Sequence, residues 1–298
     1  MSSGPPLWNE HSQNEHRRDD SCRIEAMWDV GEAPPRPGEP VEVTAGVHLL
    51  LAPNANHWTY EGTNTWIVVG DGRAVVIDPG PTDPGHLDRI DEVVRAAGAR
   101  VETVLLSHHH GDHSQAASAV AERWQAAIRP RVQQGVIPDG TRLDLGRGTE
   151  IRTLSTPGHT SDGVSFSLGD RRVMLTGDTV LARFNPYISH PDGTVADILG
   201  SMARIADLVD DDWILLPGHG PAVREPTTYL HARIADRQRR IDQVAGLLAD
   251  GVAREQITDH VYAKVDDQRR PAARASVEAI LHYLDARAVR MREKGSTV

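Results

Sequence analysis

The stretch SHHHGDH (107–113) places four histidines and an aspartate within seven residues, directly after the apolar run VETVLL (101–106). Such a run is typical of a short buried β-strand. Strand ends that lead into loops are where α/β proteins commonly bind ligands. Imidazole and carboxylate donors this close together suit Zn²⁺, Fe or Mn. We therefore interpret the stretch as a candidate metal site at the end of a strand, with a solvated histidine-rich loop as the alternative.

Three later stretches repeat the arrangement of a histidine or an aspartate beside glycine after a β-like run. They are TPGH (156–159), TGDT (176–179) and LPGHG (216–220). Each alone is a weak signal, because ordinary turns also favour glycine and aspartate. Together with residues 107–113 they supply enough donors for two metal ions, so we predict that the four segments meet in one site.

Around these stretches, strand-like and helix-like segments alternate. The runs 41–51, 64–70 and 74–80 resemble sequential antiparallel strands, and 164–168, 173–178 and 213–220 supply later ones. The segments HLDRIDEVVRAAG (86–98), SQAASAVAERW (114–124) and ADILGSMARIADLV (196–209) are predicted helices. This alternation predicts a layered α/β domain over residues 41–225.

The two ends of the chain differ from this central part. Residues 1–40 are rich in proline, glycine and charge, which predicts a flexible tail. Residues 226–298 lack strand-like runs, and their apolar residues recur at helical spacing, as in Leu230, Ile234, Ile241, Val244 and Leu248. This last segment carries 13 basic and 10 acidic residues, whereas the rest of the chain is strongly acidic. We predict a small helical domain over 226–298.

The order H108-x-H110-x-D112-H113, then His159, Asp178 and His219, resembles the metallo-β-lactamase-fold hydrolase superfamily. Members share an αββα sandwich with a metal site at one edge between the two sheets. The resemblance implies that His108, His110 and His159 hold one metal ion, that Asp112, His113 and His219 hold a second, and that Asp178 bridges them. It implies two divalent cations, most simply Zn²⁺, with Fe or Mn as alternatives, and a metal-bound hydroxide as nucleophile. Asp112 and Asp178 are then the catalytic carboxylates.

The segments GTNTWIVVG (62–70), TPGHTSD (156–162) and GDTVL (177–181), together with the helical C-terminal segment, are similar to the lactamase-β-2-like subgroup. That likeness implies a winged-helix-like domain at 226–298. The subgroup includes both acyl-thioester hydrolases and single-strand endoribonucleases, so it leaves the substrate open. Asp78 occupies the acidic position that is usual for the superfamily, and His109 has no place among the ligands.

Composition narrows the function classes. A formal net charge of −10 argues against general nucleic-acid binding, and no apolar run is long enough to span a bilayer. The single cysteine, Cys22, rules out an internal disulfide framework, and no secretory signal is visible. We therefore predict a cytoplasmic protein without membrane attachment, and the sequence leaves its oligomeric state open.

Candidates for substrate contact lie in the long loop after Asp178 and in an earlier loop. Arg183, Tyr187 and His190 are predicted to border the site, with packing as the alternative for such residues. Phe184 shares their loop, and His57, Trp58 and Tyr60 are candidates for the opposite rim. For Arg237, Arg239 and Arg240, a solvated helix face is favoured over phosphate binding.

We predict a dinuclear metal-dependent hydrolase that acts on an ester, a thioester or a related acyl bond of a small molecule. The first alternative is an endoribonuclease of the same fold acting on single-stranded RNA, in which the metals assist displacement at phosphorus. The second alternative is a mononuclear iron oxygenase of the same fold. A binding module without catalysis would leave the full ligand set without a use.

Overall fold

The computed structural model describes residues 32–129 and 137–295, so residues 1–31 of the predicted tail lie outside the described part. The first of two sheets begins at the end of that tail. It contains β1 (Pro40–Thr44), β2 (Val47–Leu51), β3 (Asn64–Val69), β4 (Arg73–Ile77), β5 (Arg100–Leu105) and β6 (Ala127–Arg129), which neighbour one another in chain order. Strands β1 to β4 are antiparallel, as predicted. Tight turns join β1 to β2 and β3 to β4, and residues 52–63 connect β2 to β3.

Strands β4, β5 and β6 are parallel, because helices connect them. Helix α1 (Pro84–Ala96) joins β4 to β5, and the short helices α2 (Gly111–Ser114) and α3 (Ala117–Trp124) lead from β5 to β6. Asp83 caps α1 by accepting a hydrogen bond from the backbone N–H of His86, and Pro84 occupies the first turn. The single helix predicted over 114–124 is wrong in its bounds, because helix already begins at Gly111 and is interrupted before Ala117.

The second sheet contains β7 (Arg142–Asp144), β8 (Glu150–Ser155), β9 (Val164–Leu168), β10 (Val173–Gly177) and β11 (Ile214–Pro217). Its spatial order is β11, β10, β9, β8, β7, and only the β10–β11 pair is parallel, since helix α4 (Val195–Leu208) lies between these two strands in the chain. Side chains that alternate along the strands of both sheets, among them Trp66, Ile77 and Phe166, form the core between them.

Each sheet buries its outer face under helices. Leu50, Ile67 and Val104 of the first sheet pack with α1 and α3, while Leu154 and Met174 of the second pack with α4. The layers are therefore helix, sheet, sheet and helix, which confirms the predicted αββα architecture.

Three helices follow the second sheet: α5 (Pro226–Ala249), α6 (Arg254–Val261) and α7 (Arg270–Gly295). Their apolar residues, including Leu230, Ile257 and Ile280, belong to the same buried cluster as Ile198 and Met202 of α4. These helices confirm the predicted helical segment. Within the described residues no strand follows Pro217, so the winged-helix detail is not confirmed, and a domain boundary at residue 225 stays a prediction.

Among the described residues, no helix combines the length and the apolar character that crossing a membrane requires.

Candidate metal centre

The four predicted segments meet at one edge of the two sheets. His108 and His110 lie in the loop after β5, and Asp112 and His113 lie in α2, which follows at once. The other three residues come from the second sheet, where each follows a strand end. They are His159 after β8, Asp178 after β10 and His219 in the turn after β11. The strand ends of both sheets thus bring all seven predicted ligands together.

The first cluster consists of His108, His110 and His159. The Nδ1 atom of His110 lies 3.0 Å from the Nε2 atom of His108 and 3.0 Å from the Nε2 atom of His159. One ring nitrogen from each residue therefore points to a common centre, and the three form a group that can hold a metal ion. Three imidazoles are a ligand set that catalytic zinc sites use.

The second cluster consists of Asp112, His113 and His219. The Nε2 atoms of His113 and His219 are 3.1 Å apart, and a carboxylate oxygen of Asp112 lies 3.2 Å from the His219 Nε2. These three donors likewise converge closely enough for one cation.

Asp178 lies between the two clusters. One of its carboxylate oxygens is 3.7 Å from Nε2 of His159 and 3.6 Å from Nε2 of His219, and the other is 3.6 Å from Nε2 of His113. Its Oδ1 atom is buried without a hydrogen-bond partner among the described residues. A buried carboxylate oxygen without a donor is costly, and a cation on each side would satisfy it. The donor set therefore fits two metal ions with a shared carboxylate.

Hydrogen bonds on the opposite side of each ring orient these histidines. His159 donates from Nδ1 to the carbonyl oxygen of Tyr187 at 2.8 Å, and His219 donates from Nδ1 to the carbonyl oxygen of Gly62 at 3.1 Å. Donation from Nδ1 leaves each Nε2 as a free lone pair that faces the clusters. This is the arrangement by which outer partners fix a metal-binding imidazole.

Asp78 supports both clusters from beneath. Its carboxylate accepts hydrogen bonds from the backbone N–H and the hydroxyl of Ser107, at 2.7 and 2.6 Å, and from Nδ1 of His113 at 2.9 Å. Because the Ser107 hydroxyl donates to Asp78, its oxygen accepts from Nδ1 of His108, 3.0 Å away. One buried aspartate thus orients a ligand of each cluster.

Two glycines let the backbone approach these ligands. A Cβ on Gly218 would lie 2.6 Å from Oδ1 of Asp178 and 2.6 Å from a ring carbon of His113. Gly177 has a positive φ of 48°, and a Cβ there would lie 2.5 Å from the side chain of Ser107. The glycines of the PGH and TGD stretches are therefore required by close packing around the donors.

The two clusters differ in their electrostatics. Burial lowers the pKa of His108 well below its usual range and that of His110 to about 4, and neighbouring imidazoles add to both effects. Burial also acts to lower the pKa of His113, but Asp78 and Asp178 outweigh it and raise that pKa to about 10. The second cluster thus has an excess of negative charge, and a cation bound there would displace the proton of His113.

A cavity of about 440 Å³ opens onto this centre. His159, Asp178 and His219 line it. Tyr187, Phe184, His57, Trp58 and Tyr60, all predicted near the site, line it as well. Residues of α5, of α7 and of the segment 262–269 between α6 and α7 form a helical wall of the cavity. The structure therefore brings most of the predicted rim residues to the cavity.

Other predicted residues lie elsewhere. Arg183 forms an ion pair of 2.6 Å with Glu61, and His190 packs its ring against His282, so neither side chain lines the cavity. His109 is half-exposed and contacts Asp162 at 3.0 Å, away from the clusters. Their positions give no support to substrate contact by Arg183 and His190.

The predicted solvated face of α5 is partly wrong. Arg239 is exposed, as predicted, but Arg237 is buried, and Arg237, Arg240 and Arg233 all line the cavity. A signal for Arg237 was present in the sequence, because position 237 falls on the apolar stripe between Ile234 and Ile241. Arg233 was missed altogether.

The sequence matches the profile of the Metallo-beta-lactamase superfamily at residues 58–137 and 133–219, which together span more than half of the chain. These segments include all six residues of the two clusters and Asp178. The chain belongs to this superfamily. Membership confirms the predicted enzyme class, a metal-dependent hydrolase, whereas the identity of the metal is not shown by it.

Members similar to this chain have diverse names. An atrochrysone carboxyl ACP thioesterase from Passalora fulva is 29% identical over 226 residues, which cover 72% of this chain and 65% of the relative, just under two thirds of its length. A beta-lactamase-like protein 2 homolog from Caenorhabditis elegans is 24% identical over 262 residues, which cover 83% of this chain and 86% of the length of the relative. This last likeness supports the predicted subgroup.

Among solved structures of the superfamily, a beta-lactamase domain protein from Burkholderia ambifaria has a TM-score of 0.70. It is 19% identical in sequence, and the match covers 90% of this chain and 94% of that one. At this level of identity the likeness confirms the fold. Because it covers 90% of this chain, it extends beyond the sandwich.

Proposed function

We propose that the protein is a dinuclear metal-dependent hydrolase that cleaves an ester, a thioester or a related acyl bond of a small molecule. The observation that carries the proposal is the position of Asp178. Its carboxylate lies within 3.7 Å of histidine nitrogens from both clusters and lines the cavity. A substrate in that cavity would place its acyl group directly against the donor set.

In this proposal, His108, His110 and His159 hold one cation and Asp112, His113 and His219 hold the other, with Asp178 shared between them. Two bound divalent cations would polarise the acyl carbonyl and lower the pKa of a water molecule, which is the chemistry that hydrolysis needs. Three histidines of this donor set are held in place by hydrogen bonds to Asp78 and to the carbonyl oxygens of Tyr187 and Gly62.

Aromatic side chains above the clusters orient the substrate and exclude bulk water. The rings of Tyr60 and Phe184 are 4.8 Å apart, and those of Trp58 and Tyr187 are 5.9 Å apart. Burial raises the pKa of Tyr187, so its hydroxyl remains a hydrogen-bond donor at neutral pH. A cavity of about 440 Å³ has the size of a site for a small molecule, and the thioesterase name of the Passalora fulva relative supports an acyl substrate.

The test is a panel assay on purified protein whose metal content has been measured. The panel contains acyl thioesters, lactones, a cephalosporin and single-stranded RNA. We expect hydrolysis of the thioesters or lactones, with two metal ions per chain. Cleavage of RNA as the dominant activity would instead favour the endoribonuclease, and one iron per chain with oxygen consumption would favour the oxygenase.

Two finer predictions accompany this proposal. We propose zinc as the resident metal, because histidine and carboxylate donors suit it and it needs no redox chemistry. We propose that the protein acts in the cytoplasm on a small molecule and without a membrane. Metal analysis of protein purified without added metal, and fractionation of the source cells, test these two points.

A further inference from the structure

Arg237 is a charged residue at a core position of α5. Its side chain is only 8% exposed, and Leu230, Ile241 and Val244 of the same helical stripe are buried with it. A guanidinium is among the groups least often buried without a partner, because removing its charge from water is costly. Its position therefore calls for a specific explanation.

The protein itself offers Arg237 little compensation. Its Nη2 donates to the carbonyl oxygen of Pro186 at 2.9 Å, while its Nε is buried without a hydrogen-bond partner in the described part of the chain. Burial lowers the pKa of this guanidinium to about 10, and no carboxylate contributes to hold it up. Even so, Arg237 remains a cation at neutral pH.

The neighbouring arginines increase the positive charge of the same wall. Arg240 stacks over the ring of Tyr262 and donates to Gln243 and to the carbonyl oxygen of Val261, none of which is an anion. Arg233 is paired with Asp236 at 2.6 Å, so the one carboxylate that α5 gives to this wall is already in use. The wall therefore has uncompensated positive charge facing a cavity.

The cavity joins this wall to the metal centre. Asp178, His159 and His219 line the cavity, and Arg237 and Arg240 line it as well. Apolar and aromatic side chains, such as Phe184 and Ile280, lie along the same cavity. A molecule that fills it would have a reactive group at the metals and a second polar group at the arginines.

We propose that Arg237, assisted by Arg240, binds an anionic group of the substrate, a carboxylate or a phosphate, while the scissile acyl bond lies at the metal centre. The inference rests on the proposed function in that it names the class of acyl substrate. Guanidinium groups form charge-assisted hydrogen bonds with both kinds of anion. The anion supplies the counter-charge that the fold does not give to Arg237.

The test compares four thioesters that differ only in charge. The acyl group is either hexanoyl or adipoyl, which adds a carboxylate, and the thiol is either pantetheine or 4′-phosphopantetheine, which adds a phosphate. For the wild-type enzyme we expect one of these anions to raise kcat/KM by about tenfold or more. The anion that does so identifies whether the acyl part or the thiol part of the substrate reaches the arginines.

The variant Arg237→Gln should lose this preference, and Arg237→Lys should retain part of it because it retains the charge. The readout is the ratio of kcat/KM for the charged and neutral members of a pair, which does not depend on the fraction of folded enzyme. Arg239→Gln is the matched control, because Arg239 lies on the exposed side of the same helix. The ratio for this control should equal that of the wild type.

Binding measurements separate this inference from the proposed function. Thioether analogues of the four compounds, with CH₂ in place of the carbonyl, are titrated calorimetrically into the metal-loaded full chain. If no acyl compound, neither these thioesters nor the esters and lactones, is hydrolysed but an anionic analogue binds about tenfold more tightly through Arg237, the function fails and the inference holds. If the thioesters are hydrolysed and neither the rates nor the dissociation constants depend on the anion, or if Arg239→Gln has the same effect as Arg237→Gln, the inference is overturned.

Discussion

Asp178 lies between the two donor clusters, within 3.7 Å of a histidine nitrogen of each. Replacing it by Asn keeps the shape of the side chain and removes the negative charge, so we expect Asp178→Asn to bind fewer than two metal ions per chain. Hydrolysis should fall at least about a hundredfold, because a shared ligand contributes several kcal/mol of charge stabilisation. Elemental analysis and kcat/KM on the substrate found in the panel check both expectations.

Asp162→Asn is the matched control for that variant. Asp162 contacts the half-exposed His109 instead of a ligand of either cluster. Its activity and metal content should stay near those of the wild type. Full two-metal occupancy with a normal rate in Asp178→Asn would refute the bridging role.

Asp78 orients ligands of both clusters through hydrogen bonds but is not one of the seven donors. It adopts a positive φ of 50°, which Asn tolerates well, so Asp78→Asn should keep the backbone. The variant loses the charge that orients His113 and Ser107, and we expect zinc affinity to fall about 10- to 100-fold. Competition with a chromogenic chelator measures this, and an unchanged dissociation constant would mean that the hydrogen bonds of Asp78 are not needed for affinity.

Protonation of His86 makes the free energy of unfolding depend on pH. Its Nε2 lies 2.9 Å from the hydroxyl of Thr65, which donates to the carbonyl oxygen of Asp78, and burial lowers the pKa of His86 to about 4. The unfolded chain, with an ordinary histidine pKa, binds this proton first as the pH falls. The contribution of His86 is thus complete above about pH 6.5, and about 3 kcal/mol of it is lost by pH 4.

Comparing wild type with His86→Gln isolates this effect from that of the other histidines. Urea unfolding of chelator-treated protein at several pH values gives the difference in unfolding free energy between the two. We expect that difference to shift in favour of the variant by about 3 kcal/mol between pH 7 and pH 4. A difference that is constant with pH would show that His86 titrates normally in the folded protein.

At the residue scale, the ligands were predictable and the cavity wall was not. Histidine and aspartate stood beside glycine at strand ends, and their order matched a family pattern, so seven side chains could be named from the sequence. Arg237 and Arg240 depend on how α5 packs against the cavity, which is a tertiary property. Arg183 and His190 share a loop with Tyr187, but sequence alone does not show which side chains of a loop turn inward.

Helix α5 is the element that joins the C-terminal helices to the rest of the fold. Leu230 lies on it with no exposed surface, in the cluster shared with Ile198 and Met202 of α4. We expect Leu230→Ala to lower the free energy of unfolding by about 2–5 kcal/mol, since it leaves a cavity in that core. Leu208→Ala on α4 is the control, because Leu208 is 54% exposed and should contribute less than about 0.5 kcal/mol.

Chemical denaturation of both variants measures these values. If α5 to α7 formed a separate module, Leu230→Ala would split the transition or affect only part of it. One transition, shifted as a whole, is the expected result.

At the element scale, length decided what the sequence could predict. Strands β2 to β5 and the long helices have enough apolar periodicity to be recognised. Strands β6 and β7 have three residues each and largely lack buried side chains, so no pattern marks them. The winged-helix expectation came from family likeness and had no alternating segment behind it after residue 226.

At the scale of the whole molecule, the donor set connects the two sheets. Four of its seven residues follow β5 of the first sheet, and three follow strands of the second. Bound metal therefore stabilises the sandwich by about 2.7 kcal/mol per site at a free concentration 100 times the dissociation constant. We expect a chelator to lower the melting temperature and added Zn²⁺ to restore it, with the smaller shift in Asp178→Asn. A melting temperature that does not respond to the chelator in a metal-loaded sample would contradict this.

The residues that line the cavity belong to different parts of the fold. The seven metal donors lie at strand ends, whereas the helical wall consists of elements that carry none of these donors. Retargeting the enzyme toward new substrates can therefore concentrate on the inward-facing positions of α5 and α7, while the loops at the sheet edge are left as they are. Libraries at Arg233, Arg237, Arg240 and Ser276 would sample recognition separately from bond cleavage.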